Sequence, residues 1–248
     1  MSSLLNEVDA NYARFAQTWA AELPTVMADL AKHDAKYLAS YRRLVSLNSW
    51  RGDLLQHKIS PGSLSFALEC QNDALVSHVL ARVGSWRVAL QALRSAIDNL
   101  HYCLFYMDHP VELELWASGK HRLAFSELHA YLSRHPRISD VPEPVSGLPL
   151  LQTEYATLSR AVHGSATFRM TGGTEATLLW SSDVARLGAW GTREANVLAG
   201  MNLLLVTVFR EDLQGTKLPN LRRAAGLAIP TAYHAKIKKE LSVTIPTA

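Results

Sequence analysis

Residues 86–108, WRVALQALRSAIDNLHYCLFYMD, decide the fold class. Trp86, Leu90, Leu93, Ile97, Leu100 and Leu104 follow one another at spacings of four, three, four, three and four residues. That is the repeat of a single narrow apolar stripe along an α-helix, whereas a half-buried strand would alternate with period two. A long helix with one apolar seam needs another helix against it, so this one is central either to a bundle or to a dimer. Asp108-His109-Pro110 closes it, because a residue before proline avoids the helical region.

The same period runs outward in both directions. Upstream, residues 4–45 read as an amphipathic helix interrupted or kinked near Pro24, with Tyr12, Phe15, Trp19, Leu23, Met27 and Leu30 on one side. SLNSWRGDLLQHKISPG reads as a connection with little regular structure. A helix opening after Pro61-Gly62 carries Leu64, Leu68, Leu75, Val79 and Leu80. Downstream come a short piece at 111–118 and a helix at about 120–134. Four prolines between 136 and 149 predict an extended loop that wraps the surface or reaches a partner. Two β-prone runs around Gly172-Gly173 predict one small β-hairpin at about 166–180, a lid or an oligomer contact. Helix returns at about 193–213, with Val197, Met201, Leu204 and Val208 inward, and two shorter helices finish the chain.

At 248 residues, 48% hydrophobic and 19% charged, the chain can bury a core without disulfide or metal support. The organisation expected is one helical domain over 1–248: an N-terminal extension (1–60), core helices (61–135), the proline-rich loop (136–149), further core helices (150–214) and basic C-terminal helices (215–248). A net charge of +3 does not announce a nucleic-acid binder, since clustering matters more than the sum. Arg222, Arg223, Lys236, Lys238 and Lys239 do cluster near the end, and contact with an RNA backbone is the sharper of two readings beside a solvated helix face. Cys70 and Cys103 lack paired-thiol spacing and are expected as buried small hydrophobes. The start of the chain lacks a basic segment followed by an apolar run, and its longest apolar stretch is too short for a bilayer, so a cytoplasmic location without membrane contact is expected.

The stretch richest in chemistry is YATLSRAVHGS, residues 155–165. Tyr155, Leu158 and Val162 mark a core face, while Ser159, Arg160 and His163 fall on an adjoining one. Gly164 supplies a C-terminal stop and leaves His163 in the last turn, where the negative end of the helix dipole favours a protonated imidazole. Phosphate-binding glycine loops, nucleophile elbows and helical histidine pairs at metal-ligand spacing are all missing from the sequence, so no metal or cofactor is expected.

LRSAIDNLHYCLFYMDHPVE (93–112) together with YATLSRAVHGS resembles the helical domains of the HEPN superfamily, particularly relatives from prokaryotic antiviral and toxin systems. The resemblance covers roughly residues 64–213. It implies a mainly α-helical bundle with an arginine or acidic residue on an early core helix, matched by Arg94 and Asp98. On a late helix it implies a polar-plus-histidine element, matched by Ser159, Arg160 and His163.

The activity it implies is metal-independent RNA cleavage. A histidine moves a proton while the 2′-hydroxyl attacks its own phosphate, and an arginine steadies the charged phosphorane. On that pattern His163 carries the proton, Arg160 or Arg94 holds the phosphate, Ser159 and Tyr155 orient, and two copies pair around one cleft. Active members separate arginine from histidine by four to six residues, but Arg160 and His163 are separated by two. The family spacing occurs instead at Arg51 and His57, Arg94 and His101, and Arg122 and His129. Two functions of different class therefore stand side by side: an RNA-acting toxin or defence effector, and a non-catalytic helical module that regulates an associated effector protein.

Overall fold

The computed structural model describes residues 2–163 and 180–247, and every described element is helical. The helices are α1 (Ser2–Ala31), α2 (Asp34–Trp50), α3 (Gln56–Lys58), α4 (Pro61–Arg82), α5 (Trp86–Asp108), α6 (Pro110–Ala117), α7 (Phe125–Arg134), α8 (Glu143–Ser146), α9 (Leu148–Val162), α10 (Val184–Val208), α11 (Arg210–Leu213), α12 (Pro219–Gly226) and α13 (His234–Leu241). The expected β-hairpin at about 166–180 lies almost wholly outside the described residues, as does Gly164.

All six residues of the α5 stripe are buried, and α4, α7, α9 and α10 close around them. The seam therefore serves the interior of one chain and is not free to pair two copies. α10 is the second axis of the bundle: every residue from Val197 to Val208 is buried, the all-round apolar pattern of a helix inside its domain. Its polar members are bonded, as buried polar groups must be. Asn202 accepts from Trp50 Nε1 at 2.9 Å and donates to Ser46 Oγ at 2.9 Å. Glu194 takes Ser40 Oγ at 3.0 Å and pairs with Arg43, while Ser40 also meets His78 Nδ1 at 2.9 Å. Burial still pushes the Glu194 carboxyl above its ordinary range, and Arg43 opposes this.

Helix starts follow local chemistry. Ser60 caps α4 by accepting from Ser63 N, with Pro61 in the first turn. Asp183 caps α10 by accepting from Ala185 N and Arg186 N. Cys70 and Cys103 are buried and free, and burial pushes both thiols up, Cys103 to about 12.

Several sequence expectations give way here. α1 runs through Pro24, and the break falls instead at residues 32–33, where His33 leaves helical geometry. The segment 46–58 is helical, not an open connection, and includes a π-helical turn at Arg51–Leu55. Leu68, Leu75 and Val79 of α4 face outward, while Phe66, Cys70, Ala74 and His78 face in. The proline-rich stretch does not reach outward: Ile138, Val145, Ser146 and Leu148 are buried, and Pro144 and Pro149 sit in the first turns of α8 and α9. Gly147 joins those two helices at φ +77°, where an added Cβ would meet Gly200 O at 2.4 Å, so only glycine fits. α10 starts nine residues before the expected 193. Among the described residues no helix is long and apolar enough to cross a membrane.

Candidate functional site

α5 and α9 cross so that residues one turn apart on each helix meet. Arg94 and Asp98 stand four apart on α5, and Tyr155 and Ser159 stand four apart on α9. Arg94 Nε donates to Ser159 Oγ at 3.1 Å, its Nη2 donates to the Tyr155 hydroxyl, and its Nη1 pairs with Asp98 at 3.4 Å. The guanidinium carbon also lies 4.6 Å from the centre of the Tyr155 ring, a cation–π distance. Phe125, the first residue of α7, stacks on the other side of this assembly, with its ring 3.5 Å from that of Tyr155 at 9°. Three of the five residues expected at a catalytic site, Arg94, Tyr155 and Ser159, are thus brought together.

Arg94 and Tyr155 line a pocket of about 740 Å³, of the size that takes a small ligand, while Ser159 stands behind Arg94 and outside the lining. Asp98, Asn99, Tyr102, Arg122 and Phe125 also line it; the sequence singled out Arg122 only for its spacing to His129, and Asn99, Tyr102 and Phe125 not as site residues at all. Arg122 and Phe125 come from the turn into α7, whose position against α5 no local pattern encodes. Tyr102 donates to Leu123 O, and Glu127 accepts from Ala124 N at 2.7 Å, so that turn is held to α5 and to its own helix.

Burial pushes Asp98 above the ordinary carboxylate range, with Arg94 and the Tyr155 hydroxyl opposing. Burial also pushes Tyr155 up to about 12, reinforced by the Asp98 charge, so its hydroxyl keeps its proton. Arg94 donates to Ser159 and Tyr155 and stands beside Asp98 as an ion pair, so its guanidinium is shared among three side chains.

The other two expected residues stand apart. Arg160 is exposed and donates to Thr157 Oγ1 at 3.3 Å, within its own helix. His163 is the exposed C-terminal cap of α9 and does not line the pocket. The dipole at that end is answered by Arg87, whose side chain donates to Ala161 O at 2.8 Å and Val162 O at 3.2 Å.

The alternative arginine–histidine pairs fare no better. His101 is sealed in the core against Phe125 and His129, its Nδ1 faces Ile97 O at 2.9 Å, and burial lowers its pKa to about 3. It is therefore neutral at every physiological pH. Arg122 reaches the pocket, but His129 is half-buried behind Phe125 with its pKa lowered by burial. Arg51 donates to Asn48 and His57 meets Gln56.

Of the basic residues expected to steer RNA, Lys236, Lys238, Lys239 and Arg223 are exposed, whereas Arg222 donates to Thr244 O at 3.4 Å. α12 packs mainly on α2, α13 on the 3-10 turn before it and on α8, and none of these basic residues lines the pocket. No known family model, curated protein or solved structure matches the chain.

Proposed function

We propose that this chain is a non-catalytic recognition module whose α5–α7–α9 pocket binds an anionic, aromatic ligand, an RNA end or a nucleotide, and so regulates an associated effector protein. The observation that carries this reading is the chemistry of the pocket wall. Two guanidinium groups, Arg94 and Arg122, line it beside the aromatic side chains of Phe125, Tyr102 and Tyr155, and no histidine lines it. Guanidinium forks and ring faces are what phosphate and base recognition require. Proton transfer requires a group that titrates near neutrality. Tyr155 is held protonated and His101 is held neutral, so neither of them supplies it.

The second reading, a metal-independent ribonuclease of a defence or toxin system, draws on one specific observation. Ser159 bonds Arg94, and His163 follows four residues later on the same helix, roughly 6 Å along its axis. A bound RNA strand long enough to leave the pocket would pass that end of α9.

One experiment separates the two. Wild-type protein, Arg94→Ala, Asp98→Asn and His163→Ala are titrated with mononucleotides and short RNA, then incubated with cellular RNA in excess chelator. The recognition reading expects binding that weakens about 10- to 100-fold in Arg94→Ala, as for a lost charge-assisted hydrogen bond. It expects tighter binding in Asp98→Asn, because a competing carboxylate is gone, and intact RNA throughout. Cleavage leaving a cyclic phosphate that vanishes in His163→Ala would replace it with the ribonuclease reading.

A further inference from the structure

α1 is 30 residues long, roughly 45 Å, yet only its last turns join the core, where Val26 packs against it and Leu30 is buried. Every residue from Ser3 to Phe15 is exposed. Leu5, Val8, Tyr12, Phe15 and Trp19 nevertheless repeat at three and four residues, the spacing of a coiled-coil seam. Tyr12 is 70% exposed, Phe15 56% and Trp19 46%. Trp19 meets the Trp180 ring edge-on at 6.2 Å, and among the described residues no ring contact is made farther along the helix. A stripe of this size on a monomer's surface marks an interaction site.

We infer that the exposed stripe of α1 is a self-association surface, pairing with α1 of a second copy of this chain. Three features favour that occupant. The first is periodicity, since a three-and-four repeat fits another helix with the same repeat. The second is charge beside the seam. With Leu5, Tyr12 and Trp19 at the a positions and Val8 and Phe15 at d, the flanking residues are Leu4, Asp9, Asn11, Ala16 and Thr18. Asp9 is the single charge among them; it faces Leu4 of the copy in a parallel pair and Ala16 in an antiparallel pair that sets Tyr12 on Phe15, so both of these arrangements keep like charges apart. The third is area. The exposed fractions of Leu4, Leu5, Val8, Tyr12, Phe15 and Trp19 leave roughly 700 Å² to cover on each copy, close to the ~800 Å² per partner of a stable specific interface.

A lipid surface fits worse. Arg14 is the one basic residue in α1, against Glu7, Asp9, Glu22 and Asp29, whereas helices that lie on anionic bilayers carry lysine and arginine along the polar face.

The test is sedimentation of the full chain at concentrations on the order of 10 µM, beside a Tyr12→Glu/Phe15→Glu double variant. Both side chains are exposed, so the variant keeps its fold, which circular dichroism checks. A wild-type dimer that becomes a monomer in the variant is the expected result. A wild-type monomer overturns the inference, and so does a variant that remains dimeric through another face. Tyr12→Cys supplies an independent readout. Cys70 and Cys103 are buried, and Tyr12 is the middle of the seam, so it faces its counterpart in a parallel pair and lies within about one helical turn of it in an antiparallel one. Mild oxidation is expected to give a covalent dimer that reductant reverses, and failure to cross-link a dimeric wild-type background also overturns the assignment to α1.

Discussion

Leu93, Ile97 and Leu100 of α5 are 0, 0 and 2% exposed, whereas Tyr12 and Phe15 of α1, set at the same spacings, are 70% and 56% exposed. Apolar periodicity states that a helix has a covered face; it does not state what covers it. For α5 the cover is four helices of the same chain. For α1 the described residues supply almost none. The two also differ in composition. After Trp86 α5 carries its stripe on aliphatic residues alone, the filling of an interdigitated core, while α1 carries Tyr12, Phe15 and Trp19, the residue types that anchor interfaces.

The largest expected effect breaks that comparison at its strong end. Ile97→Ala removes atoms from a fully buried site and is expected to lower unfolding free energy by about 2–5 kcal/mol. Tyr12→Ala on a monomeric background is expected to change it by no more than about 0.5 kcal/mol. Urea unfolding of both variants is the measurement. A Tyr12→Ala loss comparable to that of Ile97→Ala would show that α1 belongs to the folding unit and that its stripe is covered from within.

A smaller effect sharpens the contrast through pH. His101 lies on the buried face of α5, and its pKa falls from 6.5 to about 3 because burial penalises the charged ring. His78 of α4 shifts the same way, by burial and then by Arg82 and Arg43. In both cases the unfolded chain binds more protons below pH 6.5, so their contribution to stability is complete above that pH and is lost as pH falls toward the folded value. Asp73, Asp98 and Glu194 are raised by burial and act in the opposite sense over part of the same range. The comparison with His101→Leu isolates the histidine: the variant is expected to lose less stability on acidification, by up to about 1.4 kcal/mol per pH unit. Thermal melts across the range provide the reading, and parallel profiles would mean that His101 accepts a proton in the folded state. α1 contains no histidine, so its pairing is expected to be insensitive to pH from about 5.5 to 7.5, where histidine is the side chain that ordinarily titrates.

The same contrast explains what was legible in the sequence. The α5 stripe and a helix opening near Pro61 follow from helical period and proline chemistry, whereas Arg94, Ser159 and Tyr155 share a site in the sequence reading only through the family resemblance, and their meeting depends on how α5 crosses α9. Regions where tertiary contacts overrule local signals were misread. The prolines of 136–149 signalled a loop because proline ends helices, yet two of them occupy first turns, where a missing N–H is harmless. α4 was read by its leucines, but α5 buries its smaller face through Ala67, Cys70 and Ala74, which lets the two helix axes approach closely. Arg122 and Phe125 became pocket residues only because α7 folds back onto α5. His163 fell on the expected helix end, but Arg87, distant in sequence, took the carbonyls there.

Pro24 tests whether α1 is a separate unit. It lies inside the helix, exposed, where it removes one hydrogen bond and leaves the carbonyl of Ala20 to water. Proline in a helix interior costs about 3 kcal/mol relative to alanine, so Pro24→Ala is expected to tighten α1 locally. The measurement is native-state hydrogen exchange. Amides of residues 11–23 are expected to exchange more slowly, with no shift in the unfolding midpoint of the core, because a segment that opens on its own does not pass its stability to the rest. An increase in the core midpoint of the size seen at α1 would instead show the two unfolding together. If α1 pairs between copies, the variant should also dimerise more tightly, since less helix has to be ordered on association. A proline at this position then has a physical sense: it keeps the first two-thirds of α1 loosely coupled to a core that is stable without it, and leaves that segment to be ordered by its partner.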